Sequence, residues 1–420
     1  MPTGHGPALA DPPAGLAPGP PSGPLGRHPR RRRRRPGLLS LVPIVVAAGL
    51  LAWAAAVLVS AGVAGGGRGT AAATSRHAPA EPRAVRDAAS FLGRYEAGDG
   101  RVVRWDQGGD TVSEGQAYAM LAAVATGDRG RFAAAWGWAE SHLQRNDGLL
   151  AWRWSDGRVQ DDEPAADADV DAAWALSLAS TRFGVAGYRA DSARIGRAVL
   201  ASEVVPAAGG TVVVAGPWAA GETPLLDPSY DAPVDFAALA GADRAWDVVA
   251  SGFRGQMTSL LAGGHLPSDW AVVDAGGRAH PTTAPGPGGG PVTYGYDAAR
   301  VPVRLAASCD PGDRRMAASL WPALQRDVDH GEPLIDLDLG GSPVAGAPDG
   351  PDPVGLVGAA GAADAAGQLA TARSLLDRAR RAADRQPTYY GSAWVALGGL
   401  LLETQRLGGC ASMTASTSSP

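Results

Sequence analysis

The sequence predicts an all-α protein, and three observations carry that prediction. Helix-length apolar patterns recur from about residue 82 to residue 409, and turns rich in Gly, Pro and Asp separate them. Strand-like runs are few, and the clearest covers residues 211–215. Hydrophobic residues make up 45% and charged residues 19% of the chain, as in globular proteins. At about 25–28 residues for a helix and its loop, the stretch accommodates roughly a dozen helices in one large domain.

The positions of these patterns define the predicted elements. Predicted helices cover residues 115–126, 131–144, 170–182, 190–203, 235–262, 298–308, 361–385 and 392–407. Segments 281–290 and 341–353 are predicted loops because of their Gly and Pro content. The helices share no crisp sequence repeat, so a regular solenoid is not expected. Periodicity alone leaves open how the helices close around one another.

The formal net charge of −5 is unevenly distributed along the chain. Residues 1–37 contain seven Arg and one Asp, which leaves −11 for the remaining residues. An acidic body argues against a nucleic-acid partner, because phosphate recognition requires clustered basic side chains on one face. The basic N-terminus therefore calls for a separate explanation.

The basic segment precedes an uncharged apolar stretch, and together they predict a membrane-directed N-terminus. Residues 1–37 are expected to be a disordered, Arg-rich cytoplasmic tail, and residues 38–64 a transmembrane anchor or signal segment. A linker at 65–81 leads to a folded domain at 82–409, and a disordered tail is expected at 410–420. The predicted location is the cell membrane, as a single-pass protein with the domain outside, or the exterior if the segment is cleaved.

Three acidic residues stand at predicted helix starts. Glu114 follows Thr111 with the spacing of a capping box, and Asp167 can serve as a plain N-cap. Asp297 can cap a helix and form a salt bridge with Arg300, three residues later. These structural roles are alternatives to a functional one.

Metal and cofactor chemistry has little support in the sequence. The acidic run at 167–171 lacks the glycine and the distal glutamate of a calcium loop. The seven His residues show no zinc-binding spacing, and no motif requires a cofactor. Cys309 and Cys410 could form one disulfide outside the cell, but the sequence alone leaves their pairing open.

Carboxylates held at helix starts suit the hydrolysis of a glycosidic bond. One protonated acid has to reach the leaving oxygen, while one carboxylate acts on water or on carbon. Proximity between such acids raises the pKa of the one that must carry the proton. Tryptophan faces bind sugar rings, and five Trp residues in or beside loops are candidates for a cleft: Trp105, Trp152, Trp154, Trp218 and Trp270. Five others lie in helical patterns and are expected in the core: Trp136, Trp174, Trp246, Trp321 and Trp394.

Seven short motifs in one order resemble glycoside hydrolase family 8. They lie at residues 111–120, 148–152, 165–173, 227–230, 266–270, 296–302 and 389–392. Each motif alone is weak, but seven in order over more than 300 residues form a specific pattern. The form Gly-Tyr-Asp-Ala-x-Arg-Val at 295–301 is most similar to the endoglucanases that accompany bacterial cellulose synthesis.

The resemblance implies an (α/α)6 barrel, a toroid of six helical hairpins, and an inverting endo-β-1,4-glucanase. It implies Glu114 as the general acid and Asp297 as the base that activates water. Asp167 would hold the distorted sugar between them. The implied substrate-binding residues are Tyr118, Trp152, Trp218, Tyr230, Tyr296, Arg300 and Tyr390, of which Arg300 and Tyr296 would also orient Asp297. The implied partners are a β-glucan, the membrane through the N-terminal helix, and functionally a cellulose synthase.

The sequence departs from the family pattern at four positions within these motifs or close to them. Where the family usually has Gly, this sequence has Ala119, and where the family has Ser or Thr, this sequence has Ala166. Ala172 replaces an Ile or Met, and Phe183 replaces a Trp. None of these departures removes a carboxylate, so they bear on fine specificity. Two alternatives stay open: a catalytically silent polysaccharide-binding protein, and the same hydrolysis of chitosan, xylan or mixed-linkage glucan.

Overall fold

The structure is a computed structural model that describes residues 82–286, 290–331, 334–347 and 350–413. Thirteen α-helices lie in these ranges. They are α1 Arg83–Tyr95, α2 Ser113–Thr126, α3 Arg129–His142, α4 Ala166–Phe183, α5 Ala186–Ser202, α6 Pro233–Ala240, α7 Ala245–Leu260, α8 Val301–Ala306, α9 Pro311–Ser319, α10 Trp321–His330, α11 Pro353–Ala365, α12 Leu369–Arg385 and α13 Tyr389–Glu403. The all-α prediction is confirmed for the described residues.

Six of these helices form a closed inner ring. In order, α2 contacts α4, α4 contacts α6, α6 contacts α8, α8 contacts α11, α11 contacts α13, and α13 returns to α2. Six others, α1, α3, α5, α7, α9 and α12, each pack against the outside of one or two inner helices. The domain is therefore the helical toroid that the family resemblance implies.

Side-chain size and polarity decide which helices lie inside. Inner helices α2, α11 and α13 are apolar and buried almost all round, since each meets both the ring and the outer layer. Outer helices such as α1 and α12 bury one stripe and expose charged residues on the other. Small residues let inner helices approach closely. A Cβ added to Gly361 would lie 2.8 Å from Val303 Cα, and one on Gly398 would lie 2.3 Å from Val357 Cγ1.

Short antiparallel strands connect the helices. The first sheet contains β1 Thr111–Val112, β2 Arg153–Ser155 and β3 Arg158–Asp161, and β1 runs directly into α2. A hairpin consists of β4 Val204–Ala207 and β5 Gly210–Val213, which confirms the predicted strand at 211–215 in its first residues. The third sheet contains β6 Leu225–Leu226, β7 Trp270–Val273 and β8 Ala279–Thr282. These strands fix the loops from which several inner helices start.

Two of the predicted helices are each divided into two separate helices in the structure. The pattern at 235–262 is broken between α6 and α7, and the pattern at 361–385 is broken between α11 and α12. In the second break Gly367 adopts a left-handed φ of 78°, a conformation that glycine reaches without strain. Helices α1, α9 and α10 were not predicted. Helices α9 and α10 are short, with 9 and 10 residues, whereas the buried residues of α1 recur at helical spacing and could have indicated it.

The start of the expected C-terminal tail is part of the fold. Cys410 forms a disulfide with Cys309, with Cα atoms 5.0 Å apart, and its N–H donates to Ala307 O at 2.9 Å. Ala411 and Met413 are buried. The prediction of disorder is therefore wrong for residues 410–413, because the disulfide fastens this segment against the end of α8.

The predicted N-terminal segments at 1–37, 38–64 and 65–81 lie outside the described residues, as do residues 414–420. None of the helices in the described part of the chain has both the length and the hydropathy that membrane crossing requires.

Candidate active site

The three predicted acids come together at the starts of inner helices. Glu114 is the second residue of α2, and Asp167 is the second residue of α4. Asp297 precedes a 3-10 turn, Ala298–Arg300, that leads into α8. Because these helix starts meet inside the ring, residues separated by 183 positions in the chain share one site.

The guanidinium group of Arg300 lies at the centre of this site. Its Nη1 is 3.5 Å from Glu114 Oε2 and 3.3 Å from Asp167 Oδ2. Its Nη2 is 2.9 Å from Asp297 Oδ1 and 3.5 Å from Asp227 Oδ2. One cation therefore holds four carboxyl groups that come from four separate segments of the chain.

Solvent exposure divides these four carboxyl groups into two pairs. The side chains of Glu114 and Asp297 are 18% and 35% exposed. Those of Asp167 and Asp227 are only 4% and 0% exposed, and the Arg300 side chain is fully buried. A ligand in the cleft can therefore reach Glu114 and Asp297 directly, above a floor formed by the other charged groups.

The site carries more acidic groups than one arginine can neutralise, so protons are retained there. Burial, and then the charge of Asp167, raise the pKa of Glu114 to about 7, although Arg300 and Arg104 oppose the shift. Burial also raises the pKa of Asp167, against the effect of Arg300. For Asp227, burial followed by the charge of Asp297 raises the pKa well above its usual range. Glu114 thus combines access to the cleft with a proton held at near-neutral pH.

Glu114 does not serve as a helix cap. The N-cap of α2 is Val112, and Thr111 Oγ1 instead donates to Val102 O at 2.6 Å. Glu114 Oε1 accepts a hydrogen bond from the Tyr389 hydroxyl at 3.1 Å. A Cβ on Gly115 would lie 2.8 Å from that hydroxyl, which explains why a poor helix former follows Glu114. The capping-box alternative is therefore wrong, and the backbone makes room for a partner of the acid.

Asp167 is not a helix cap either, and the acidic run around it does not form a calcium site. Ala165 is the N-cap of α4, and Asp167 lies inside the helix facing Arg300. Asp169 turns away and accepts from the Leu150 N–H, while Asp171 pairs with Arg304. The three acids therefore have three different partners. Among the described residues, no three His, Cys, Asp or Glu side chains converge in a metal-binding group.

A second group of ion pairs, centred on Arg304, lies one helical turn beyond the group centred on Arg300. Asp171 and Arg304 each follow Asp167 and Arg300 by four residues, which is about one helical turn. Both Asp171 oxygens accept from Arg304, at 3.0 and 2.9 Å, and Asp235 lies 3.7 Å from the same guanidinium. This second group of ion pairs was not predicted from the sequence, although the repeated spacing of four residues could have indicated it.

Several predicted sugar-binding aromatics lie around the acids. Tyr296 is exposed, donates from its hydroxyl to Asp352 Oδ2 at 3.1 Å, and lies edge-on to Tyr390 with ring centres 6.1 Å apart. The half-buried Trp218 donates from Nε1 to Pro164 O at 3.3 Å. The half-buried Trp152 accepts at its carbonyl from the Ser113 N–H, directly before Glu114.

Two aromatics predicted at the cleft lie beneath it or away from it. Tyr118 is fully buried and accepts from Arg300 Nη1 at 3.2 Å, because it lies one turn deeper than Glu114 on α2. Its predicted role in substrate contact is therefore wrong, and it holds Arg300 instead. Trp270 is buried against Trp218, with ring centres 6.4 Å apart.

Two further candidates, Tyr230 and Trp154, pack against other side chains of the protein, which leaves less of each ring free to contact a sugar. Tyr230 is largely buried, with its ring 5.4 Å from the Arg300 guanidinium carbon. Trp154 packs against Trp138 and under Arg101, on the first sheet. Trp105 is exposed, and the next residue, Asp106, accepts from the Tyr389 N–H at 3.1 Å. The five Trp residues predicted in the core are all buried.

The chain matches known proteins along most of its length. Glycosyl hydrolases family 8 matches residues 81–401. A protein of Novacetimonas hansenii described as a probable endoglucanase is 34% identical over 250 residues, covering 57% of this chain and 71% of that protein. An endoglucanase of Cellulomonas uda is 30% identical over 225 residues, covering 51% of this chain and 61% of its own length. The solved endo-β-1,4-glucanase CMCax of Acetobacter xylinum is 27% identical, with a TM-score of 0.62, covering 76% of this chain and 97% of that one.

The family match begins just before α1 and ends within α13, so it spans the whole helical ring. It also includes all four carboxyl groups that surround Arg300. The chain belongs to glycosyl hydrolases family 8 and is a glycoside hydrolase.

Proposed function

We propose that this glycoside hydrolase is an endo-β-1,4-glucanase that cleaves cellulose-like β-glucan with inversion of configuration. The relatives described above as endoglucanases support the substrate class. The observation that carries the mechanism is the pair of cleft-facing carboxyls, Glu114 and Asp297, on the two ends of one buried guanidinium. A silent sugar-binding protein would have no need for a buried acid with a pKa near neutrality beside an ionisable partner.

In the proposed mechanism Glu114 donates its proton to the leaving glycosidic oxygen. Asp297, the more exposed carboxyl, accepts a proton from the water that attacks the opposite face of the sugar. Arg300 keeps both groups in place, and the largely buried Asp167 fixes Arg300 from the floor of the cleft, on which the sugar ring would rest. Trp152, Trp218, Tyr230, Tyr296 and Tyr390 are proposed to contact neighbouring sugar units.

The guanidinium also bounds the separation of the two acids. Glu114 lies 3.5 Å from Nη1, and Asp297 lies 2.9 Å from Nη2. Both nitrogens belong to one small planar group, so the nearest carboxyl oxygens are at most about 9 Å apart. Inverting enzymes separate their carboxyls by roughly 6.5–9.5 Å, which leaves room for a water molecule. The bound is compatible with that arrangement.

The stereochemistry of the product tests the proposal. With soluble cello-oligosaccharides, the α-anomer should appear first in the proton NMR spectrum, because a single displacement inverts the β-linkage. A parallel panel of chitosan, xylan and mixed-linkage glucan should give lower specific activities than the β-1,4-glucan. Initial release of the β-anomer would contradict the mechanism, and a faster rate on another polymer would contradict the substrate.

A second prediction concerns the hydroxyl that contacts the acid. Tyr389→Phe removes a donor that stabilises ionised Glu114, so the pKa of Glu114 should rise. One hydrogen bond of about 1 kcal/mol corresponds to a shift of roughly 0.5–1 pH unit. The basic limb of the kcat/KM profile should therefore move to higher pH.

Tyr95→Phe is the matched control for this prediction. Tyr95 is also buried and its hydroxyl lies 3.4 Å from Ser392 Oγ, but it makes no contact with Glu114. Its profile should coincide with that of the wild type. If Tyr389→Phe left the basic limb in place, or moved it to lower pH, Glu114 would not be the group that titrates there.

We also propose a cellular setting for the enzyme. The arginine-rich segment and the apolar stretch at 38–64 support a single membrane anchor with the catalytic domain outside the cytoplasm, or secretion after cleavage. The disulfide supports an oxidising compartment. The resemblance to synthesis-associated endoglucanases extends the proposal to a functional link with a cellulose synthase. Protease accessibility of the domain on intact cells tests this location, and a protected domain would contradict it.

A further inference from the structure

Asp269 lies immediately before β7, against the segment that carries Asp297. Its Oδ1 accepts hydrogen bonds from two backbone N–H groups, that of Gly295 at 2.9 Å and that of Ala298 at 2.8 Å. These donors flank Tyr296 and Asp297 on either side. The Asp269 N–H in turn donates to Thr293 O at 2.9 Å. One carboxyl group thus fastens both ends of the segment 295–298.

The fit between this carboxyl and the segment leaves no room for a side chain. A Cβ built on Gly295 would lie 2.2 Å from Asp269 Oδ2. Carbon and oxygen atoms do not approach that closely, so either the carboxyl or the segment would have to move. The glycine of the Gly-Tyr-Asp sequence therefore allows Asp269 to contact the peptide directly.

The contact does not depend on one protonation state of Asp269. Burial, and then the charge of Asp297, raise the pKa of Asp269 to about 7. The other titratable groups that face it are Asp336 and Tyr294. Because Oδ1 accepts both backbone bonds, a proton on Oδ2 leaves them intact. Asp269 can therefore hold the segment on both sides of neutrality.

From this geometry we infer that Asp269 is a positioning residue, which holds segment 295–298 so that the Asp297 carboxyl faces the attacking water. Arg300 fixes the same carboxyl from one side through a single 2.9 Å contact with Oδ1. Asp269 fixes the backbone on which that side chain is mounted. The inference rests on the proposed role of Asp297 as the base.

Two substitutions separate this positioning role from a general loss of stability. Asp269→Ala removes both backbone bonds, and a displacement of about 1 Å at a reacting group can lower kcat roughly 100-fold. We expect a loss of about that size on cello-oligosaccharides, with KM within about threefold of the wild type. Asp269→Asn keeps an oxygen acceptor, so its kcat should stay within about tenfold.

The leaving group separates a defect at the base from a defect at the acid. A β-cello-oligosaccharyl fluoride needs no proton from an acid, but it still needs a base to activate water. Asp269→Ala should therefore lose as much kcat on the fluoride as on the oligosaccharide. Asp338→Ala is the matched control, since Asp338 Oδ1 also accepts from two backbone N–H groups at 2.9 Å but in a surface turn. It should leave kcat unchanged.

The outcomes are decisive in each direction. A kcat for Asp269→Ala within threefold of the wild type, an effect confined to KM, or equal losses in the Ala and Asn variants would overturn the inference. If Asp269→Ala fails to fold, Gly295→Ala decides, since its Cβ should displace the same contact and reduce kcat at least tenfold. Asp297→Asn tests the underlying proposal. If Asp297→Asn keeps its activity, Asp297 is not the base and the proposed function fails. If Asp297→Asn is inactive but Asp269→Ala is fully active, only the positioning role of Asp269 is refuted.

Discussion

Replacing Glu114 with Gln should lower kcat on a β-1,4-glucan by about 10³-fold or more, at the upper end of what general acid catalysis contributes. The amide has nearly the same shape as the carboxylic acid but has no proton to give to the leaving oxygen. The Tyr389 hydroxyl contacts Glu114 Oε1 and the Arg300 guanidinium lies nearest Oε2, so the single amide oxygen can keep one of these two partners, and the fold should be retained. The loss is therefore chemical, and kinetics on the polymer measure it.

Substrate chemistry provides the control for this prediction. On a β-cello-oligosaccharyl fluoride, which leaves without protonation, the Glu114→Gln variant should stay within about tenfold of the wild type. Glu140→Gln makes the same chemical change on the outer helix α3, at a half-exposed side chain, and should be fully active on both substrates. Equal losses on the polymer and the fluoride would assign Glu114 a role other than proton donation.

The raised pKa of Glu114 also predicts how stability depends on pH. Its pKa in the folded protein is about 7, above its ordinary value of 4.5, so the folded state holds this proton more tightly than the unfolded chain. The stability that this proton contributes is fully present below about pH 4.5 and is lost as pH rises through 7. Relative to the wild type, Glu114→Gln should therefore have a higher unfolding free energy at pH 8, with little difference at pH 4. Urea denaturation at both pH values measures it.

Sequence alone located the three acids that are proposed to act on the substrate, but not the group that joins them. Glu114, Asp167 and Asp297 could be found because each marks the start of a helix, where an acid has a local pattern. Their shared contact with Arg300 could not be predicted, because Arg300 is close in sequence to Asp297 but far in sequence from Glu114 and Asp167. Asp227 and Asp269 lie in two of the seven motifs, yet no local rule distinguishes their roles from those of turn residues.

The same limit explains the errors at Tyr118 and Trp270. Trp270 was expected at the cleft because it lies beside a loop, and Tyr118 because the family resemblance implies that it binds substrate. Neither observation says how deep the side chain lies. In α2, however, a residue four positions after Glu114 lies one turn deeper in the ring, where the buried Tyr118 hydroxyl accepts from Arg300. The ring itself could be inferred only through the family resemblance, because helical periodicity says which face is buried and not which helix covers it.

Removing the cation at the centre should have the largest effect on stability. Arg300→Met leaves four carboxyl groups without the guanidinium that now contacts them, and breaking a buried ion pair costs about 3–5 kcal/mol. Because Arg300 lowers the pKa of Glu114, Asp167 and Asp227, its loss should raise all three further. These groups then stabilise the fold only while protonated, so the deficit in unfolding free energy should grow as pH rises from 5 to 8.

Two companion variants make the Arg300 prediction specific. Arg300→Lys restores a charge but cannot span partners on two nitrogens, so it should recover part of the stability while kcat stays at least about 100-fold below the wild type. Arg380→Met removes another buried arginine, which binds Asp87, Asp377 and Glu403 between α1, α12 and α13. It should lower stability while the folded enzyme keeps its kcat, since no acid of the cleft depends on it. Full activity of Arg300→Lys would show that the site needs only a positive charge, and not a planar group that fixes the donor and the base relative to each other.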